Sequence, residues 1–575
     1  MFSRVIFPVF SGFRPPKSRN AAVLPAVLAL VLGLTVAGIA HSRQTLADPA
    51  VVEPSPATAG QLASQDLKDA GPDAAPMPTP LPYAGEDPLA PFIYEMFTGP
   101  QKTPAPRTSA EKRLAAVYKA VEAFYAGRGY RPLWYANLVP HPKVGELLSV
   151  LRRADENGLK PADYNVSLPV TPSDRSREAR ADIEFSLALV RYARDARGGR
   201  LEPWRIHPLV TPKLNLPEPE EVLSRLLQSP APHESLAAYQ PHQAGYLALR
   251  RKLAETRNAR NTVKQIIIPD GPTLKAGMSD PRVPLLYERL QLSWLSTTDP
   301  ALFDKNLSKA VAGFQKQYGL KADGLLTPQT VKALNRPENK ELEADIIANM
   351  ERWRWLPEDL GTTHVFVNIP ELTLHYVENG REIHSTRVIV GKADSPTPVF
   401  SHRIEYFVVN PYWTVPPTML RKEFLPAMAN DPGYASRRGY QVSQRGRSIS
   451  VRQPPGPRNS LGYIKFMFPN DHSVYLHDTP NRNLFNNVSR ALSHGCVRVE
   501  KPFYLAELLM RDSAEKWDEA RLRKLIGKNE RRINLTTPVP IHLAYFTLEA
   551  DESGRIRRFN DVYRFHQKTR EALGL

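Results

Sequence analysis

The periodicity of the apolar residues changes near residue 364, and this change divides the chain into two structural classes. Before it, apolar side chains recur at helical spacing, as in residues 114–125. After it, polar and apolar residues alternate, as in residues 364–369, and Asn379-Gly380 is a hairpin signal. No strand–helix–strand rhythm follows, which predicts a mostly antiparallel sandwich or barrel. The predicted fold class is therefore multidomain α+β, with helical domains first and a mostly-β domain after them.

The N-terminus predicts export. Residues 1–20 carry a basic flank, and residues 21–40 form an uncharged run long enough to cross a bilayer as one helix. A signal anchor is the first interpretation, and a signal peptide cleaved after Gly38-Ile39-Ala40 is the second. In both cases the basic flank stays in the cytoplasm and the rest of the chain enters the periplasm. Residues 41–108 are rich in Pro and Ala and are predicted to be a disordered tether.

Charge and cysteine content exclude several classes of protein. Lys and Arg number 76 against 59 Asp and Glu, a net charge of +17, which favours an anionic partner such as a wall polymer or a membrane surface. The basic residues are scattered, and no basic-aromatic motif accompanies them, so nucleic acid is not expected as a partner. A single cysteine excludes an internal disulfide framework, and no Cys/His cluster has zinc-ligand spacing.

The helical part of the chain is predicted to contain two domains. Residues 109–275 suggest an all-helical scaffold, opened by the capping pattern Thr108-x-x-Glu111, without an acid pair or a nucleophile. Residues 278–336 suggest a small three-helix module, in which Thr327 caps a helix that begins at Pro328.

The β-rich part is predicted to be a single domain with an insertion. This domain spans residues 345–548, and a helical insertion at about 417–445 interrupts its strands as a candidate lid. The tail, residues 549–575, gives no functional signal.

Cys496 is the main candidate for chemistry. A buried structural thiol is the commoner state of a free cysteine, but in an exported chain an unpaired thiol is an oxidation liability. Gly495 permits close backbone approach, and His477 and His494 are both candidate bases that would activate the thiol. Arg498 would favour the thiolate or hold a substrate carboxylate. The residues alone therefore predict a cysteine nucleophile and leave the choice of histidine open.

The motif around Cys496 is similar to the signature of L,D-transpeptidases with a YkuD-type catalytic domain. The match consists of His477 and the run Ser493-His494-Gly495-Cys496-Val497-Arg498, with further matches at residues 453–457, 459–462 and 476–480. Residues 351–357 and the overall domain order resemble the large, YcbB-like members, and this resemblance extends over about residues 110–545. Phe314-Gln315 and Asp323-Gly324 resemble the three-helix peptidoglycan-binding domain. These positions are core and turn residues, so they indicate the fold of the module better than its binding.

The resemblance implies roles for the motif residues. Cys496 would be the nucleophile and His477 the proton donor and acceptor, although His494 is nearer in sequence. His494 would line the site beside Ser493, and the backbone N–H groups of Gly495 and Cys496 would form an oxyanion hole. The backbone near Asp478 would orient His477.

Arg498 would support the thiolate or the bound peptide, and three further residues are predicted to bind substrate: Tyr475, Asn459 and Trp413. The implied reaction is acyl transfer through a thioester, from a tetrapeptide stem that loses its terminal D-Ala to a diaminopimelate amine, giving 3-3 cross-links. It needs no metal or cofactor.

The expected partners are peptidoglycan stem peptides and glycan strands, the inner membrane through residues 21–40, and possible cell-wall synthesis proteins. The alternatives are an L,D-carboxypeptidase or protein-tethering activity on the same domain, or a non-catalytic wall-binding scaffold.

Overall fold

The computed structural model describes residues 83, 85–99, 109–169, 174–260, 266–290, 292–293, 299–317, 320–335, 338–446 and 448–575. The predicted anchor at residues 21–40 and the capping residue Thr108 lie outside these ranges, as does most of the predicted tether. Among the described residues, no helix is both long enough and apolar enough to cross a bilayer.

The N-terminal region is helical, as the apolar periodicity predicts. Its longest helix has 14 of its 24 residues buried, at the centre of an apolar cluster, and the other elements pack around it. The Asp174 side chain caps the start of this helix by accepting the backbone N–H groups of Ser176 and Arg177. The helices are α1 (Ala90–Thr98), α2 (Ser109–Ala126), α3 (Lys143–Arg152), α4 (Arg175–Gly198), α5 (Pro203–Ile206), α6 (Pro219–Gln228), α7 (Pro232–Ala237) and α8 (Ala244–Arg260), with 3-10 turns at Ala154–Asn157 and Pro161–Tyr164 and a small ribbon of β1 (Tyr135–Ala136) and β2 (Val139–Pro140).

The prediction of a disordered tether is wrong where helix α1 lies. The tether was expected to run unbroken from residue 41 to 108, but Ala90–Thr98 is a helix inside it. Leu89, Ile93 and Phe97 recur every four residues on one face of this helix, and all three are buried in the cluster around α4. The Pro/Ala-rich composition of the segment as a whole conceals this short apolar stripe.

Asp182 on α4 is a buried structural acid. Its carboxylate accepts the Tyr125 hydroxyl at 2.5 Å and the backbone N–H groups of Leu133 and Trp134 at 3.0 and 2.7 Å. Burial raises the pKa of Asp182 to about 6 although these hydrogen bonds favour the carboxylate. The carboxyl therefore ties α2 and the segment before β1 to the central helix.

A small three-helix unit follows. It comprises α9 (Val283–Arg289), α10 (Lys305–Gln317) and α11 (Pro328–Leu334), around a separate apolar cluster. The Thr327 side chain accepts the Thr330 N–H, which confirms the predicted cap, and Pro328 occupies the first turn. Gln315 is buried, and its side chain binds the backbone of Gly324 and Leu325, so this residue of the resemblance is part of the fold.

Helix α12 (Glu338–Trp353) connects the helical part to the β-rich part. One of its faces packs on α8, where Ile346 and Met350 meet Tyr246 and Leu253. The elements of the β-rich part are, in chain order, β3 (His364–Asn368), β4 (Thr373–Glu378), β5 (Arg381–Gly391), β6 (Phe400–Val409), β7 (Trp413–Thr414), α13 (Pro417–Met419), a π-helical turn (Leu420–Phe424), α14 (Leu425–Asn430), α15 (Tyr434–Arg437), β8 (Gln441–Arg445), β9 (Ser448–Gln453), β10 (Ile464–Met467), β11 (Leu476–His477), a 3-10 turn (Arg482–Asn486), β12 (Ala491–Ser493), β13 (Val497–Val499), α16 (Pro502–Leu509), α17 (Glu519–Lys524), β14 (Arg531–Ala544), β15 (Leu548–Ala550), β16 (Ile556–Arg558) and α18 (Phe565–Leu573).

The large sheet of this part closes into a barrel. Its order is β12-β5-β13-β11-β10-β6-β14-β3-β4, and β4 also pairs with β5, which completes the ring. The Asn379-Gly380 turn joins β4 to β5, as the sequence predicts. The pairs β11–β13, β14–β3 and β12–β5 are parallel and the others are antiparallel. The multidomain α+β class, with a mostly-β domain, is confirmed.

The insertion is only partly helical. Residues 417–430 and 434–437 form short helices, but Gln441–Arg445, at the end of the predicted helical lid, is strand β8. It pairs with β9 and, through β9, with β7 in a separate small sheet. The turn at Gly446, whose φ is +61°, lets this segment fold back on β9, which explains the difference. The insertion has its own apolar cluster around Phe424.

Candidate active site

Two paired strands bring the predicted residues together. Strands β11 and β13 run parallel, with Leu476 opposite Val497 and His477 opposite Arg498. Leu476 and Val497 are buried in the barrel core. Because successive side chains alternate between the faces of a sheet, the other face carries a cluster of four residues: Tyr475, His477, Cys496 and Arg498.

Cys496 is a partly buried thiol at the start of β13. Burial raises its pKa to about 11, against the opposing effects of the Tyr475 backbone N–H, the Tyr475 hydroxyl and the Arg498 cation. The sequence predicts a thiol whose pKa is lowered by its neighbours. The neighbours are present, but the loss of water around the sulfur outweighs them, so the thiol is protonated at neutral pH.

His477 is fully enclosed and held in one orientation. Its Nδ1 lies 2.5 Å from the carbonyl oxygen of Asp478, which can only accept, so Nδ1 carries the proton and Nε2 carries the lone pair. The backbone of Leu461 also hydrogen-bonds the ring. Burial, and secondarily the Arg498 cation, lowers the pKa of His477 to about 3. The expectation that the backbone at Asp478 orients this histidine is confirmed. His477 and Cys496 thus lie on the same face of two paired strands, and both are neutral at pH 7.

Asp478 in turn fixes the loop around His477. Its buried carboxylate accepts the Tyr463 N–H at 3.0 Å and an Arg482 N–H at 2.8 Å. Gly462 lies against it with φ of +61°, and a Cβ on Gly462 would stand 2.4 Å from the Asp478 carboxyl carbon. Only glycine fits this contact.

Ser493 shapes the loop that carries Cys496. Its Oγ donates to the Cys496 carbonyl at 2.5 Å and accepts the Gly495 N–H at 3.1 Å. Gly495 has φ of +117°, a conformation that favours glycine. The sequence predicts the Gly495 N–H as an oxyanion donor, but this N–H is already engaged by Ser493. Among the described residues, none accepts the Cys496 N–H, which leaves it as the candidate donor.

His494, the alternative base, faces the insertion. It is exposed, and its Nε2 lies 3.4 Å from the Glu423 carboxylate on the π-helical turn. Trp413 on β7 reaches the site from the same side, because its side chain hydrogen-bonds the Tyr475 hydroxyl. Trp413 also packs on Phe424, with the ring centroids 6.5 Å apart. The insertion therefore contacts His494 directly through Glu423 and reaches Tyr475 indirectly, through the packing of Phe424 on Trp413.

Arg498 is partly buried beside the thiol. Burial lowers the pKa of Arg498, while Cys496 acts in the opposite direction. Within the described ranges, its Nε has no hydrogen-bond partner. Lys465 on β10 lies opposite His477 and on the same face of the sheet, and its Nζ is 4.0 Å from the Glu530 carboxylate. The sequence analysis assigns no role to Lys465.

Asn459 differs from its predicted role. It is fully buried, and its Nδ2 lies within hydrogen-bond distance of the carbonyls of Pro411, Gln453 and Pro454. Its Oδ1 accepts the Leu461 N–H. The residue therefore braces the loop before Gly462, and the structure gives no support for direct binding of substrate. Elsewhere in the described ranges, no three His, Cys, Asp or Glu side chains group as metal ligands.

The fold and this site define a class of catalytic domain. Residues 362–541 match the L,D-transpeptidase catalytic domain, residues 119–253 match a scaffold domain, and residues 281–334 match a "Putative peptidoglycan binding domain". The chain thus contains an L,D-transpeptidase catalytic domain joined to scaffold and peptidoglycan-binding domains, as the motif predicted.

A curated relative carries the same class of name. The chain is 33% identical over 271 residues to a Haemophilus influenzae protein named "Putative L,D-transpeptidase", and the match covers 43% of this chain. It spans about half of that relative, 54% of its length.

Solved L,D-transpeptidase structures are also similar in part. One from Xylanimonas cellulosilytica is 17% identical, covers 48% of this chain and 98% of that chain, and has a TM-score of 0.15. L,D-transpeptidase 3 from Mycobacterium tuberculosis, in complex with a faropenem-derived adduct, is 12% identical, covers 32% and 60%, and has a TM-score of 0.17. These TM-scores are too low to carry weight in the assignment.

Proposed function

We propose that this protein is an L,D-transpeptidase of peptidoglycan that forms 3-3 cross-links through a Cys496 thioester. The observation that supports this most is the placement of Cys496 and an oriented, neutral His477 on paired strands of a domain that matches the L,D-transpeptidase family. A nucleophile, a base and a group that orients the base are the parts that acyl transfer requires.

The first half-reaction forms the thioester. Cys496 Sγ attacks the carbonyl carbon between the third stem residue, normally meso-diaminopimelate, and the terminal D-Ala, and its proton passes to Nε2 of His477. The Cys496 N–H stabilises the developing oxyanion. His477 then returns the proton to the D-Ala nitrogen, the C–N bond breaks, and D-Ala leaves.

The second half-reaction transfers the acyl group. The side-chain amine of a second stem attacks the thioester, His477 accepts the amine proton, and the C–S bond breaks. The sulfur recovers the proton from His477. Water competes with the amine at this step, and the insertion, which contacts His494 through Glu423 and packs on Trp413 through Phe424, would limit the access of water.

Mass spectrometry of a purified disaccharide-tetrapeptide incubated with residues 83–575, which keep helix α1, tests the proposal. We expect a dimer that lacks one D-Ala with the wild type and none with Cys496→Ala. Tripeptide monomer alone would show that water is the acceptor and identify a carboxypeptidase. No reaction at all, with the thiol still titratable, would favour the wall-binding scaffold. Addition of a lysine-bearing lipoprotein peptide tests the tethering activity.

The helical unit at residues 278–336 is proposed to bind peptidoglycan. Its fold match supports this, and because Gln315 is buried and bound to backbone, we expect exposed residues of the unit to make the contacts. Pull-down with purified sacculi should retain less of a variant lacking residues 278–336 than of the full chain. Equal retention would leave the unit without a binding role.

We also propose that the protein acts in the periplasm, anchored to the inner membrane by residues 21–40. The uncharged run, its basic flank and the wall substrate support this location. Full-length protein should remain in the membrane fraction after carbonate extraction and be digested by protease in spheroplasts. Release as a shortened chain would indicate a cleaved signal peptide, and protection from protease would contradict export.

A further inference from the structure

The C-terminal tail carries no functional signal in the sequence. It places Tyr563 against residues 391–397, which in turn contact the segment that carries Cys496. Tyr563 lies between β16 and α18, is buried, and packs on Tyr545 and Phe565, with ring centroids 5.7 and 5.3 Å apart. The Tyr563 backbone N–H donates to the Tyr545 hydroxyl at 2.9 Å, and this hydroxyl donates to Asp561 at 2.6 Å. These contacts hold the Tyr563 ring in place.

The Tyr563 hydroxyl joins the two ends of a loop. It donates to the Gly391 carbonyl at 2.5 Å and accepts the Thr397 N–H at 3.2 Å. Burial raises the pKa of Tyr563 to about 12, so the hydroxyl keeps its proton for the first of these bonds. The Tyr563 hydroxyl therefore holds Gly391 and Thr397 together and closes the loop of residues 391–397. Gly391 pairs with Ser493 of β12, the strand that leads into the Cys496 motif.

Thr397 connects this closed loop to the peptide group that precedes Cys496. Its hydroxyl accepts the Gly391 N–H at 2.9 Å and donates to the Gly495 carbonyl at 2.8 Å. The carbonyl of Gly495 and the N–H of Cys496 belong to one trans peptide group, in which they point in opposite directions. Fixing the carbonyl on Thr397 therefore directs the Cys496 N–H away from Thr397, where no described residue accepts it.

We propose that Tyr563 is a positioning residue for acyl transfer, which acts through Thr397 to orient the Cys496 N–H as an oxyanion donor. The proposal rests on the proposed function only in taking Cys496 as the nucleophile. Tyr563 itself touches no reacting atom.

The test compares two reactions of the same thiol in the full chain. Acetyl transfer from p-nitrophenyl acetate passes through an oxyanion and releases p-nitrophenolate, whereas alkylation by iodoacetamide displaces iodide and forms no oxyanion. Tyr563→Phe removes only the hydroxyl. The matched control is Tyr376→Phe, because Tyr376 is also buried in the barrel domain and donates to one carbonyl, that of Leu508, at 3.0 Å. Cys496→Ala gives the background of both reactions.

We expect Tyr563→Phe to slow acetyl transfer about 10-fold or more, since a single oxyanion donor is worth more than that when it is lost outright. Alkylation by the same variant should stay within about 2-fold of the wild type, as should both reactions of Tyr376→Phe. Melting temperatures should fall by similar amounts in both variants. Thr397→Val should reproduce the effect of Tyr563→Phe, and Thr397→Ser, which keeps the hydroxyl, should restore most of the rate.

Two outcomes would overturn the proposal: unchanged acetyl transfer in Tyr563→Phe, or a parallel fall in acetyl transfer and alkylation. The second outcome would mean that the substitution only loosens the fold or alters the thiol. Neither measurement uses peptidoglycan, so a wild type that acetylates but makes no cross-linked dimer would refute the proposed function and leave the role of Tyr563 standing.

Discussion

Changing the pH during alkylation of Cys496 tests whether the resting thiol is neutral. Cys496 is the only cysteine of the chain, so incorporation of iodoacetamide reports on this sulfur alone. With a pKa of about 11 for Cys496, raised by burial, only about one thiol in 10,000 is ionised at pH 7. The alkylation rate should therefore rise about tenfold for each pH unit from 6 to 10, because the thiolate is the reacting form.

The unfolded chain supplies the reference. Burial is lost in urea, so the pKa of the thiol returns to its ordinary value of 9.0 and alkylation at pH 7 should be about 100-fold faster than in the folded chain. Arg498→Gln removes a cation that lowers the pKa of Cys496, so this variant should react more slowly still in the folded state. A rate that is independent of pH between 5 and 9 would indicate a thiolate–imidazolium pair and refute the reasoning.

Three further predictions follow from individual contacts. His477→Gln should lower thioester formation about 100- to 10,000-fold in the mass-spectrometric assay, whereas His494→Gln should cost less than about 10-fold; the reverse order would make His494 the base. Gly462→Ala should destabilise the chain by about 1–3 kcal/mol and lower turnover, because the new Cβ collides with the Asp478 carboxyl; an unchanged melting temperature would contradict this. The carboxyl of Asp182 has a pKa of about 6, raised by burial from 3.8, so the folded state binds the proton more tightly than the unfolded state does. The free energy of unfolding therefore has its full contribution from Asp182 below pH 4. This contribution falls by about 3 kcal/mol as the pH rises through 6. Urea unfolding at pH 4 and pH 7 should show this fall in the wild type and not in Asp182→Asn. This variant should also be less stable, because an NH2 group replaces one carboxylate oxygen and either the Tyr125 hydroxyl or the Trp134 N–H loses that acceptor.

The class of fold could be predicted because local patterns carry it. Alternation of apolar residues after residue 364 marks the strands, and Asn379-Gly380 fixes one hairpin directly. Barrel closure, in contrast, depends on the pairing of β5 with three different strands, and no local pattern specifies non-local pairing. Helix α1 was missed for a related reason: its three buried residues have a partner only once α4 is in place.

The candidate site, like the fold, could be predicted from the sequence only in part. The motif names Cys496 and two histidines, but it does not say which histidine is enclosed, because burial is set by the packing of separate segments. The structure buries His477 and turns His494 towards Glu423. Thr397 and Tyr563 have no signal in the sequence, since each acts only through a hydrogen bond to a backbone atom far along the chain.

Burial of the thiol also answers an objection raised by the sequence. An unpaired cysteine in an exported protein is exposed to oxidants, and oxidation, like alkylation, proceeds through the thiolate. With a pKa of about 11, raised by burial, the Cys496 thiol has about 100-fold less thiolate at neutral pH than it would with its ordinary pKa of 9.0. Burial likewise keeps the His477 imidazole neutral, so Nε2 carries no proton. In the proposed reaction a neutral thiol would be protected between turnovers, and the thiol proton would have to move to His477 during the attack itself.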